Sequence, residues 1–280
     1  MHFDFHFTAI QILWTLTIAA QLVLLVVLLG RDRARRFPWF TLGIVLMALR
    51  LLASRLLLGR MPTITLDAIF VIMADVAAIV GFLIVVEMAR RAFASVGRNA
   101  WLAWSLTVLI IGGGILYALG RPWPAWKTLT ADSFIADLRL MQMGAQRLDM
   151  LVDLLTVELG LLVILFGRRT GAGWRSHTQR IVIGLSTASS AQLAVESIWQ
   201  LIARHAVPHS QAEYDRIVGL REKLFNANGA LYIAVLIWWI VVLWMDDPGA
   251  AAAEHPLAAT PKPEYLSEED ANPAEPRTDP

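Results

Sequence analysis

The chain has no cysteine in its 280 residues. That absence excludes disulfides, thiolate metal sites and cysteine nucleophiles, and it says nothing about compartment. Charge is scarce: 17% of the residues are Asp, Glu, Lys or Arg, against about 25% in a soluble domain. Neither His-Glu-x-x-His nor Gly-x-Ser-x-Gly occurs, which argues against a membrane metallohydrolase or serine hydrolase. The last apolar run has no interior lysine, so a retinal Schiff base has no anchor there. No catalytic residue, cofactor or metal site is expected.

What the chain has is apolar length. Hydrophobic residues make up 57% and the mean hydropathy is +0.56. Seven segments are each long enough to cross a membrane, since about 20 residues at 1.5 Å rise span a hydrocarbon core of about 30 Å. They run from Phe7 to Gly30, Trp39 to Leu58, Ala68 to Ala89, Trp101 to Leu119, Asp149 to Gly167, Ile181 to Ile202 and Asn226 to Met245. The first has no positive residue before it and Arg31, Arg33, Arg35 and Arg36 after it. A secretory signal peptide has the reverse order, so this segment reads as a retained helix.

The loops give a direction. Residues 31–37, 90–99 and 168–180 hold eleven Lys/Arg and one acid; residues 60–67, 121–147 and 204–224 hold nine Lys/Arg and six acids in nearly twice the length. The denser, shorter loops belong on the cytoplasmic side. The expectation is an all-α, polytopic seven-helix bundle over residues 1–245, N-terminus outside and C-terminus cytoplasmic, in a bacterial-type inner or plasma membrane. Residues 246–280 carry nine acids against Lys262 and Arg277, with seven prolines; such a tail cannot bury enough apolar surface to order itself. The tail is thus at −7 and the rest near +8. Because the positive residues flank membrane helices, anionic lipid is the expected partner and nucleic acid is not.

Two external segments have amphipathic helical patterns. In 133–148, Phe134, Leu138, Met141, Ala145 and Leu148 share a face. In 210–224, Ser210 and Glu213 suit a capping box, followed by Ile217, Leu220 and Leu224. Each could lie on the membrane surface or extend the next span outward.

The informative residues are the ionisable groups at membrane depth, which cost several kcal/mol each and usually face the bundle interior. They are Arg50 and Arg55 in the second span, Asp75 in the third, Asp149, Asp153 and Glu158 in the fifth and Glu196 in the sixth. Gln142, Gln146, Asp149, Asp153 and Thr156 make one helical stripe; Ser189, Gln192, Glu196 and Gln200 make another. Arg50 and Ser54 share a face. By depth, Arg50 is expected to meet Glu158 first and Asp75 second. Asp75, Asp153 and Glu196 then form an outer acidic shell, with Arg55 a candidate partner. These groups could fix helix register, line an outward-open polar cavity, or form a path across the membrane, although the inner halves offer few polar groups for such a path. Glu87 lies four residues before Arg91, an ordinary i,i+4 pair.

Weaker patterns have plainer readings. His2/His6 and His205/His209 have a spacing that suits metal ligation, but Pro208 interrupts the second pair and the first lies at a terminus. Gly112-Gly113-Gly114 permits close helix approach or a bend. Trp123, Trp126, Trp238, Trp239 and Trp244 read as interfacial or lipid-facing anchors.

The opening helix followed by Arg-Arg-Phe-Pro-Trp-Phe (35–40) and a second apolar helix resembles a group of uncharacterised bacterial multi-pass membrane proteins, over residues 1–60. The resemblance implies a membrane fold and no activity. In helix number and N-out direction the chain is also similar to the membrane sensor regions of some bacterial histidine kinases, although no kinase module follows the bundle. The expected function is a non-enzymatic sensing or ligand-binding module, with a polar pocket between helices 2, 3, 5 and 6 that admits a small ligand or ion from outside. A small transporter and an accessory subunit are the alternatives.

Overall fold

The computed structural model describes residues 8–57, 59–93, 98–119, 134–166, 176–206 and 210–246, and among these it is all-helical. Seven long helices follow one another: α1 Ala9–Gly30, α2 Pro38–Leu56, α3 Thr63–Ala92, α4 Arg98–Leu119, α5 Phe134–Phe166, α6 His177–His205 and α7 Gln211–Trp244. A four-residue helical turn, Arg33–Arg36, joins α1 to α2. Five helices are long and apolar enough to cross a membrane: α1, α2, α3, α6 and α7. In α5 the three acids Asp149, Asp153 and Glu158 interrupt every fully apolar stretch, and α4 contributes a shorter apolar run, Trp104–Ala118.

Local sequence explains the helix ends. Thr8 and Gln11 form a reciprocal capping box at the start of α1: the Gln11 N–H donates to the Thr8 hydroxyl at 3.3 Å, and the Thr8 N–H donates to the Gln11 amide oxygen at 3.2 Å. The turn after α1 puts Asp32 in the left-handed region, at φ 55°, which a short polar side chain tolerates better than most. Pro38 occupies the first turn of α2, where its missing N–H costs nothing. The Ser210 hydroxyl accepts the Glu213 N–H at the start of α7. Both amphipathic external segments are continuous with the helix that follows: 134–148 is the first half of α5, and 211–224 opens α7. They lengthen those two helices and do not form separate helices of their own.

The packing makes a ring. In order, α1, α2, α3, α5, α6 and α7 each pack on the next, and α7 closes onto α1. The α4 helix lies outside the ring against α5, and α3 also touches α6. Close approach at the seams relies on small residues, as expected where lipid competes with side chains for apolar contact. A Cβ on Gly184 would run into the Trp239 indole across the α6–α7 seam, and one on Gly160 would strike the Ser186 side chain on α6.

The apolar core fills one end of this ring. It comprises Leu24, Val27 and Leu28 of α1, Phe37, Phe40 and Ile44 at the start of α2, Val80, Ile84, Met88 and Ala92 of α3, Leu159 and Val163 of α5, Ile181 and Val182 of α6, and Val235, Leu236, Trp239 and Leu243 of α7. Because the helices alternate in direction, these stretches all fall at the end that carries Arg31, Arg36, Arg90, Arg91 and Arg180. Phe40 and Trp239 meet edge to face, ring centroids 5.1 Å apart, a favoured aromatic geometry. Trp239 is therefore a core residue, 1% exposed, and not the interfacial anchor its sequence context suggests. Trp238 and Trp244 are exposed; Trp123 and Trp126 lie outside the described residues, as does the tail from residue 247 onward.

Candidate functional site

The other half of the ring is polar, and each of its seams carries its own contact. Between α5 and α6, the Ser189 hydroxyl donates to Asp153 Oδ1 at 2.7 Å. One turn along α6, Gln192 Oε1 accepts the Asn228 side-chain N–H of α7 at 2.6 Å. Tyr232, one turn further along α7, meets two helices. Gln21 of α1 donates to its hydroxyl at 3.4 Å, and that hydroxyl points to the Met47 sulfur of α2 at 3.1 Å. The two polar stripes expected on α5 and α6 thus meet at Asp153 and Ser189, while Gln142 and Gln146 of the α5 stripe are exposed. Thr156, further along the α5 stripe, is buried and accepts the Ser186 hydroxyl on its carbonyl at 2.9 Å.

A cavity of about 470 Å³ opens within this half, lined by Thr17, Gln21, Met47, Arg50, Leu51, Ser54, Phe70 and Tyr232. Its walls are α1, α2, α3 and α7, so the pocket expected between helices 2, 3, 5 and 6 is displaced toward the α1–α7 closure of the ring. In its walls the hydroxyls of Thr17 and Ser54 bond the Leu13 and Leu51 carbonyls of their own helices at 2.7 Å. Gln21 and Tyr232 form the floor, immediately above the Leu24 and Leu236 layer of the core.

Arg50 reaches this cavity and is exposed in it. Among the described residues it makes no hydrogen bond and no ion pair. The expected Arg50–Glu158 pair does not form, because α3 stands between α2 and α5 in the ring. Glu158 turns instead to α4: a Cβ on Gly112 would sit 3.7 Å from its Oε2, and that oxygen is buried without a hydrogen-bond partner. Gly112 therefore serves close packing, whereas Gly113 and Gly114 face open space. Asp75 is half-buried and is not within ion-pair distance of Arg50 either. Asp149 of α5 lies within electrostatic range of both Arg50 and Asp75, and Asp153 within range of Asp149 and Glu196. The acids Asp75, Asp149, Asp153 and Glu196 thus form a connected series, and Arg50 lies within the field of Asp149.

Arg55 takes no part in it. Its guanidinium stacks on Trp14 of α1, 5.0 Å from the ring centroid, a cation–π contact on the α1–α2 seam. Gln200 is half-buried beyond Glu196 on the same helix. His205 bonds the Leu201 carbonyl at 2.9 Å, and His2, His6 and His209 lie outside the described residues. Among the described residues no group of three His, Asp or Glu side chains is placed to hold a metal ion.

Sequence reasoning missed the α1 and α7 contributions. Thr17/Gln21 and Asn228/Tyr232 each have four-residue spacing inside an apolar run, and that was the available signal. It also missed the second role of Glu87. The Glu87 carboxylate pairs with Arg91 at 3.3 Å and also accepts the Phe40 N–H at 3.2 Å. It supplies the cap that Phe37, with no side-chain acceptor, cannot give to α2. Arg91 in turn stacks on Phe37 at 5.0 Å.

In comparisons with protein-family models, with curated proteins and with solved structures, nothing matches this chain.

Proposed function

We propose that this chain is a seven-span membrane module, N-terminus outside, that binds a small ligand in a pocket open to the outer side and performs no chemistry on it. One observation carries the reading: a cavity lined by an arginine that has no hydrogen-bond or ion-pair partner among the described residues sits above the apolar core. Its volume falls in the range of about 300–1,000 Å³ that suits small-molecule sites. A charged side chain kept at membrane depth without a partner is a functional-site signal. The two remaining spans are α4 and α5. The acids of α5 that lower its hydropathy face the polar interior and the α4 contact, which supports counting it as a span. The basic loops at the sealed end support placing that end in the cytoplasm of a bacterial-type cell. The apolar core beneath the cavity, with Glu87 at its edge committed to Arg91 and the Phe40 N–H, supports a sensor or receptor over a transporter.

The native absence of cysteine makes the test direct. Single cysteines at Ser54 and Thr17 should react with a membrane-impermeant thiol reagent added from outside, and one at Ile84 should react from neither side. Protection of both Ser54→Cys and Thr17→Cys from an outside reagent would overturn the pocket.

A further inference from the structure

The lining of the cavity names a ligand class, on the premise that the pocket reading above holds. Among the described residues, Arg50 supplies the only positive charge in the lining and no carboxylate lines the cavity. The guanidinium presents a planar fork of donors that matches a carboxylate or phosphate oxygen pair. On the floor, Gln21 is 2% exposed and its Oε1 has no hydrogen-bond partner among the described residues. A buried amide oxygen left without a donor is costly unless something completes it. Thr17 and Ser54 have committed their hydroxyl protons to carbonyls of their own helices, so neither can serve Gln21. The remaining lining, Met47, Leu51 and Phe70, is apolar.

We propose that the cavity takes an amphiphilic organic monoanion: its single negative group on Arg50, an O–H or N–H donor turned to Gln21 Oε1, and its apolar body along Met47, Leu51 and Phe70. A single charge is specified because Asp149 stands in electrostatic range of both the arginine and Asp75. A second negative charge would meet their repulsion with no further cation to answer it. The same chemistry is offered by a free carboxylate and by the monoanionic head of a membrane phosphodiester.

The experiment uses the full chain in phosphatidylcholine nanodiscs, with thermal stability and intrinsic tryptophan fluorescence as readouts. The probes are decanoate, decanol, decyl phosphate and decyltrimethylammonium. Decanoate should bind saturably and more tightly than the other three. Arg50→Gln should weaken decanoate by about ten-fold or more, the value of one charge-assisted hydrogen bond, and leave decanol unchanged. Arg50→Lys should retain part of the affinity, which separates lost charge from misfolding. An ω-hydroxydecanoate should gain over decanoate in the native chain and lose that gain in Gln21→Leu. Equal binding of decanoate and decanol, or indifference of decanoate to Arg50→Gln, overturns the proposal. So does the lack of saturable decanoate binding while Ser54→Cys still labels from outside, in which case the pocket stands and the ligand class falls. Adding phosphatidylglycerol to the discs separates the sources: competition with decanoate assigns the site to a lipid head, and its absence to a free solute.

Discussion

The two halves of the ring are built by the same six helices and held by different forces. At the basic end, large side chains interlock: Trp239 lies over Gly184 and against Phe40, and Phe37, Met88, Ile181 and Leu243 are fully buried around them. At the other end the seams are joined by single polar contacts, Asp153 to Ser189, Gln192 to Asn228 and Gln21 to Tyr232, with a cavity between them. Inside a membrane the lipid is as apolar as leucine, so the dense half gains from dispersion and shape and not from escape of water. The polar half gains from hydrogen bonds that average only about 0.6 kcal/mol in such settings. On the proposed ligand-binding reading, the loosely joined half is the one that would rearrange around a ligand.

The sharpest way to break this contrast is to remove one large aromatic side chain from each half. Trp239→Ala should destabilise the bundle by about 3–5 kcal/mol, the range for emptying a well-packed aromatic site. Phe70→Ala, at the half-buried cavity wall, should cost less than about 2 kcal/mol, because its surroundings are already partly empty. Reversible unfolding of both variants in mixed micelles measures the two costs. Equal losses would mean the polar half is packed as tightly as the sealed one.

A smaller effect tests how the sealed half is tied together. If Glu87 served only Arg91, Glu87→Ala would cost about 0.2–0.5 kcal/mol, as an i,i+4 pair does. Because its carboxylate also accepts the Phe40 N–H, the loss should be about 1.5–3 kcal/mol, the value of a hydrogen bond to a charged group in a buried place. Glu87→Gln, which keeps an acceptor, should recover most of it. An Arg91→Ala variant as costly as Glu87→Ala, with no recovery in Glu87→Gln, would return Glu87 to the role of a plain ion-pair partner.

The helices were legible in the sequence because apolar length and flanking arginines are local properties, and the stripes on α5 and α6 because a helix repeats every 3.6 residues. Helix identity held even where the amphipathic patterns at 134–148 and 211–224 left the direction of the segment open. What the sequence did not carry was the order of helices around the ring. Depth matching put Arg50 beside Glu158, but depth is one coordinate of three, and α3 lies between their helices. Trp239 was misread for a related reason: tryptophan near a span end is common at interfaces, and only the small residue at Gly184 on another helix makes room to bury it. Glu87 as a cap for α2 depended on a helix start 47 residues away. The tail and the paired histidines at residues 2, 6 and 209 lie outside the described residues.

The smallest expected effect is the most informative about function. If Arg50 were held by a structural pair, Arg50→Met would strand a buried carboxylate, at about 3–5 kcal/mol, and Glu158→Gln would rescue it. The geometry removes both partners in turn. Glu158 faces Gly112 on the far side of α5, and Asp75 is not within ion-pair distance. Asp149 interacts with Arg50 only through its field, with no ion-pair contact, which makes it a weaker partner than a bonded carboxylate. Arg50→Met should therefore change stability by less than about 1 kcal/mol in either direction, with Glu158→Gln adding its own effect independently. A double-mutant cycle on the purified chain measures this. A coupling above about 1.5 kcal/mol between the two sites would place Arg50 in the structural framework and remove the reason to regard the cavity as a binding site. A coupling near zero, together with an unchanged melting profile, leaves an arginine at membrane depth that the fold does not need. Its desolvation cost, at least about 2.5 kcal/mol on insertion scales, must then be offset by water in the cavity or by what the cavity holds.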